Sequence, residues 1–122
     1  MAKKVLIVDD EQQFIDVMKI RLTAHGYEVL EARDGEEGLK AAEAKSPDVI
    51  LLDIMMPQKD GYTMLREMKR IERTKKIPVI VVTAKPGLKD LFELEGVQDY
   101  IIKPFETEDL LLRIKRATEK DA

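Results

Sequence analysis

Val49-Ile50-Leu51-Leu52-Asp53 is an unbroken apolar run that stops on a carboxylate. A strand with one face in water alternates apolar and polar residues, so a continuous run marks a strand covered on both faces, as in a parallel sheet between helical layers. The same pattern recurs upstream in Val5-Leu6-Ile7-Val8 and downstream in Val79-Ile80-Val81-Val82. Tyr27-Glu28-Val29-Leu30 alternates, as an edge strand does, and Tyr100-Ile101-Ile102 supplies a fifth run.

Helical patterns fill the intervals. Glu11 to His25 sets Phe14, Val17, Met18 and Leu22 on one stripe, with Gly26 as the stop. Asp34 can cap a helix that faces Leu39 and Ala42 inward and runs to about Lys45, where Ser46-Pro47 ends it. Gly61 to Arg73 carries Met64, Leu65, Met68 and Ile71 at helical spacing. Leu88 to Glu95 places Leu88, Leu91 and Phe92 on one side, and Thr107 to Lys120 turns Leu110, Leu111, Ile114 and Ala117 inward. Strand and helix thus alternate five times, which predicts a doubly wound, five-stranded parallel sheet of flavodoxin-like order 2-1-3-4-5 with right-handed crossovers. The 122 residues suit one domain, 1–122, with no linker or internal repeat beyond this alternation.

Composition narrows the chemistry. The chain has no cysteine and one histidine, so thiol chemistry and imidazole-rich metal sites are excluded. His25, just before Gly26, reads as a helix-end residue that complements the dipole. The net charge of −3 argues against a chain whose main task is gripping nucleic acid. The basic stretch from Lys69-Arg70 to Lys75-Lys76 reads as a solvated helix end. No run approaches the roughly 20 apolar residues of a membrane span, and no signal peptide opens the chain, so a cytoplasmic location is expected.

Ligands of such sheets bind at the carboxyl ends of the strands, where the strand order reverses between strands 1 and 3. Strand 1 ends in Asp9-Asp10, followed by Glu11; strand 3 ends in Asp53; strand 4 in Thr83-Ala84; strand 5 in Lys103-Pro104. Taken singly, these residues have plain roles: Asp9-Asp10 as a helix cap, Asp53 in a turn, Thr83 as a strand-end hydroxyl. Together, at four strand ends, they point to a site. Three carboxylates in one crevice repel one another, and Lys103 with one divalent cation would balance them. Hard oxygen ligands suit Mg²⁺, with Mn²⁺ as an alternative, and Mg²⁺ recruits phosphate oxygens. That composition fits phosphoryl chemistry with a carboxylate nucleophile, for which Asp53 is better placed than the paired Asp9 and Asp10. Thr83 and Lys103 then suit two phosphoryl oxygens.

At this point the chain resembles the receiver domains of two-component response regulators, the CheY-like proteins. The resemblance rests on KVLIVDDE at 4–11, DVILLDIMMPQKDGY at 48–62, PVIVVTA at 78–84 and DYIIKPF at 99–105. It implies that Asp53 is the phosphoacceptor and that Asp10, Asp9 and the Met55 backbone carbonyl hold the metal with it. It further implies that Thr83 is the switch hydroxyl, Lys103 the phosphate-contacting lysine and Tyr100 the aromatic coupled to Thr83. The Lys103-Pro104 peptide is expected to be cis. Met55 and Lys85 flank the path of the attacking water, and apolar Met55 predicts a long-lived phosphoryl group.

The implied donor is a sensor histidine kinase or histidine phosphotransfer protein, docking near helix 1 and Phe14. The implied output is a protein target at the face of helix 4, strand 5 and helix 5, with the chain monomeric or dimerising on phosphorylation. No effector domain, nucleic-acid or membrane contact, or enzymatic activity beyond the chain's own phosphorylation and dephosphorylation is expected. The interval from Thr83 to Lys103 is slightly shorter than the family pattern, which predicts a short, mobile helix 4 after Lys85-Pro86-Gly87. Three other readings compete. A flavin module lacks its glycine-rich phosphate loop; a carboxylate phosphohydrolase would want an acid where Met55 stands; a degenerate receiver would lack the intact acid–Thr–Lys set.

Overall fold

The computed structural model describes residues 2–56 and 59–119; Pro57, Gln58 and the predicted end of the last helix at Lys120 lie outside them. Its elements are β1 (Lys4–Val8), α1 (Gln12–Ala24), β2 (Glu28–Ala32), α2 (Gly35–Lys45), β3 (Val49–Leu52), α3 (Gly61–Met68), β4 (Val79–Thr83), α4 (Lys89–Leu94), β5 (Asp99–Ile102) and α5 (Thr107–Thr118). The strands form one sheet of order β2-β1-β3-β4-β5, and every pairing is parallel. The predicted topology is therefore the observed one.

Successive residues of each inner strand enter opposite cores, because side chains alternate across a sheet. Leu6, Val8, Ile50, Leu52, Val79 and Val81 pack toward Ala42 of α2, Met64, Leu65 and Met68 of α3 and Phe92 of α4. Val5, Ile7, Val49, Leu51, Ile80 and Val82 pack toward Ile15, Met18 and Leu22 of α1 and Leu110, Ile114 and Ala117 of α5. Burying each such side chain contributes roughly 1.5–3 kcal/mol before conformational entropy is subtracted.

Local signals set most helix ends. Asp34 accepts the Glu37 N–H at 2.9 Å, and Ser46 closes α2 in the left-handed conformation at φ 49°. Gly26 follows α1 at φ +89°, where a Cβ would be strained. The His25 ring nitrogen lies 2.9 Å from the Arg21 carbonyl at that helix end, as its sequence position implies.

Three details depart from the sequence reading. Ile15, not Val17, joins the core stripe of α1; Val17 is 43% exposed. Helix α3 stops at Met68 rather than Arg73, because buried Thr74 donates its hydroxyl to the Met68 carbonyl at 2.8 Å and turns the chain there. That leaves Ile71 half-buried in turns. Leu91 of α4 is exposed, so this six-residue helix is anchored by Phe92, with Leu88 packed at its start.

Candidate functional site

The crevice forms where backbone ladders run one residue past the strands. The Asp9 N–H donates to the Ala32 carbonyl at 3.1 Å, Asp53 to Val8 at 3.0 Å, and Lys103 to Thr83 at 2.8 Å. Each candidate residue is thus pinned at a strand end, and the three side chains converge at the strand-order reversal. Gly61 lets α3 abut this edge. A Cβ there would stand 2.6 Å from the Asp53 carbonyl oxygen and 2.7 Å from Ile54 Cα.

Carboxylate oxygens of Asp9, Asp10 and Asp53 all lie within 4.8 Å of one another. Asp10, Glu11, Asp53, Met55, Ala84 and Lys103 line a cavity of about 290 Å³ beside them. Neither plain role of the acids accounts for the cluster. Asp9 does not cap α1, whose N-cap is Glu11 without a side-chain bond; its Oδ1 instead accepts the Glu11 N–H at 2.9 Å. Asp53 does close a turn, its Oδ1 accepting the Met55 N–H at 3.1 Å. Its Oδ2 faces Lys103 Nζ at 3.6 Å.

Charge dominates this pocket. Asp9 is 1% exposed, and burial raises its carboxyl above the ordinary value; the Lys103 ammonium and the Glu11 N–H pull it down, and Asp53 pushes it up again. Burial alone would lower Lys103, but hydrogen bonds to Asp9 at 2.8 Å and Glu11 at 3.0 Å outweigh it and leave the lysine raised. The donor set is hard oxygen, partly buried and open to a crevice, with more negative than positive charge. It fits a small divalent cation such as Mg²⁺.

Thr83 and Tyr100 meet at Lys85. Fully buried Thr83 accepts the Lys85 N–H on Oγ1 at 3.3 Å, and the Tyr100 hydroxyl donates to the Lys85 carbonyl at 2.6 Å. Tyr100 is buried against Phe92 of α4, ring centroids 5.9 Å apart. The Lys103-Pro104 peptide is cis. Met55 is 56% exposed at the mouth, and Lys85 is exposed on the opposite loop.

Two neighbours of the site were not assigned roles in it from sequence. Glu11 reaches Lys103, and the Phe14 ring lies under the same ammonium, 4.1 Å from its centroid. The signal was available in the run Asp9-Asp10-Glu11 and in Phe14 three residues on, one helical turn from Glu11.

Comparison with known proteins identifies the class. Residues 5–115 match the family described as the response regulator receiver domain, and the chain belongs to that family. The DNA-binding dual master transcriptional regulator RpaA of Synechocystis sp. is 39% identical over 114 residues. That match covers 92% of this chain and 47% of RpaA, so the chain spans about half the length of that relative. A CheY-like receiver domain protein from Methanospirillum hungatei superposes with a TM-score of 0.90 at 33% identity, covering 98% of this chain and 96% of its own. The receiver domain of a sensor histidine kinase from Pseudomonas aeruginosa, with a magnesium ion coordinated in its active-site cleft, gives 0.88 at 30% identity, covering 97% and 98%. Among the described residues, no helix is long and apolar enough to cross a membrane.

Proposed function

We propose that this receiver domain accepts a phosphoryl group on Asp53 in a Mg²⁺-dependent reaction. The observation that carries the reading is the convergence of Asp53 with Asp9, Asp10 and Lys103 at the strand-order reversal. Asp9, Asp10 and Asp53, with the Met55 backbone carbonyl, would hold Mg²⁺, which when bound supplies positive charge for the transferring phosphoryl oxygens.

The donor is a phosphohistidine of a sensor kinase or phosphotransfer protein. An Asp53 carboxylate oxygen bonds to phosphorus as the phosphorus–nitrogen bond breaks, and that bond's electron pair returns to the imidazole nitrogen. The Met55 N–H orients the Asp53 carboxylate, and Lys103 neutralises phosphoryl charge. Thr83 then turns its hydroxyl to the phosphoryl group and gives up the Lys85 N–H. Because the Tyr100 hydroxyl rests on the Lys85 carbonyl, Tyr100 follows and the face of α4, β5 and α5 rearranges. A downstream protein reads that face, and the exchange takes place in the cytoplasm.

Incubation with Mg²⁺ and acetyl phosphate, followed by intact mass measurement, tests the reading. The expected result is one labile phosphoryl adduct, abolished by chelation and by Asp53→Asn. An adduct that survives Asp53→Asn would overturn it, and sustained turnover of varied phosphate esters would indicate a phosphohydrolase instead.

A further inference from the structure

The Lys103 ammonium lies closer to the residues of the β1–α1 side than to Asp53. Asp9 Oδ2 lies at 2.8 Å and Glu11 Oε1 at 3.0 Å, with the Phe14 ring at 4.1 Å, while Asp53 Oδ2 is farther off at 3.6 Å. Phe14 is braced edge-on by Phe105, two residues beyond the lysine, with centroids 6.2 Å apart. The Glu11 backbone is itself tied to the pocket through its N–H on Asp9. Glu11 and Phe14 both come from the start of α1 and lie outside the acid cluster of Asp9, Asp10 and Asp53.

We propose that Glu11 is a positioning residue which, with Phe14, parks the Lys103 ammonium on the β1–α1 side. Loading of Asp53 then requires the lysine to leave Glu11. This rests on Asp53 being the phosphoacceptor. An ammonium has three N–H donors; two go to Asp9 and Glu11 and the group also lies over the Phe14 ring, so a phosphoryl oxygen on the Asp53 side competes with these contacts. Asp9 lies in the acid cluster beside Asp53, so the lysine can reach the Asp53 side without leaving it. The Glu11 side chain is 64% exposed and water can replace its partner, so Glu11 is the contact given up. An attraction present at rest and absent in the transition state slows the reaction. For an ion pair exposed on one side, the effect is about two- to fivefold.

The test compares wild type with Glu11→Gln, Glu11→Asp and Phe14→Leu. Initial rates of Asp53 phosphorylation are measured at Mg²⁺ concentrations shown by calorimetry to saturate each variant. Two donors are used: acetyl phosphate, a dianion, and phosphoramidate, less negative at neutral pH. The ¹⁵N-ammonium resonance of Lys103 is followed in the free proteins. Glu11→Gln is expected to react about two- to fivefold faster with both donors. Glu11→Asp should fall between it and wild type, Phe14→Leu should also gain, and the Lys103 resonance should move in Glu11→Gln.

Equal or slower rates in Glu11→Gln, or an unmoved Lys103 resonance, would overturn the parking role. So would a gain confined to acetyl phosphate, since that marks simple repulsion of the more negative donor. An adduct on wild type, lost in Asp53→Asn but unaffected by Glu11→Gln, would remove this inference and leave the receiver reading standing. No Asp53-dependent adduct at all would remove both.

Discussion

Asp9 is buried beside a second carboxylate, and its raised pKa has a definite sign for stability. A group whose folded-state pKa is raised stabilises the fold while protonated. That contribution is complete below the ordinary value of 3.8 and is lost as pH rises through the folded value. The charge on Asp9 is therefore a cost at neutral pH. Asp9→Asn is expected to gain in stability on wild type as pH rises from 4 to 7, read from urea midpoints at the two pH values. Equal differences at both would contradict it. Met55 poses a kinetic question at the same scale. Its apolar side chain stands exposed two residues after Asp53 and offers no group to orient an attacking water. Met55→Asn is expected to shorten the lifetime of the phosphoryl group proposed on Asp53 several-fold in a mass-resolved decay, because a side-chain amide there can position the attacking water.

At the scale of elements, α4 has six residues, one of them buried, too few to be stable by propensity alone. It is held from outside. Phe92 packs edge-on against Tyr62 of α3 with centroids 5.5 Å apart, and the Tyr62 hydroxyl donates to Glu95 at 3.0 Å. Arg66 donates to that hydroxyl at 3.1 Å and lies 3.6 Å from Glu95. Tyr62→Phe keeps the ring and removes the hydroxyl, so a loss of about 0.5–1.5 kcal/mol is expected, with faster amide exchange concentrated in α4. Exchange in α4 as slow as in α3, in wild type or variant, would contradict this.

This clasp also marks where the sequence stops being readable. The order of elements follows from apolar runs and their ends, because those patterns are local and repeat five times. The site residues are legible for the same reason: a parallel sheet brings all its carboxyl ends together, so naming strand ends names the crevice. What links α3 to α4 is a hydroxyl, a guanidinium and a carboxylate 33 residues apart at their extremes, and no local period encodes that. The early end of α3 escapes notice likewise, since the buried Thr74 hydroxyl overrides an intact helical pattern. Val17 and Ile15 flank the Phe14–Met18–Leu22 stripe on its two sides, and only the placement of the sheet decides between them.

At the scale of the whole molecule, the proposed cation site would couple folding to Mg²⁺ binding. An ion that binds only the folded form stabilises it by about 2.7 kcal/mol at a concentration 100 times its dissociation constant. For a domain of this size that is a rise of roughly 5–15 °C in the melting temperature. Mg²⁺ is expected to raise the melting temperature of wild type and to lose most of that effect on Asp10→Asn, measured by scanning calorimetry. An undiminished rise in the variant would place the bound ion elsewhere.

The alternation of strand residues between two cores has a practical consequence. Tyr100, Phe92 and the clasp belong to the α2–α3–α4 side, whereas Phe14 and Phe105 belong to the α1–α5 side. The sheet acts as a partition wall between them. An engineer can therefore repack one compartment for heat tolerance while leaving the packing of the other untouched, since changes that share no neighbours add nearly independently.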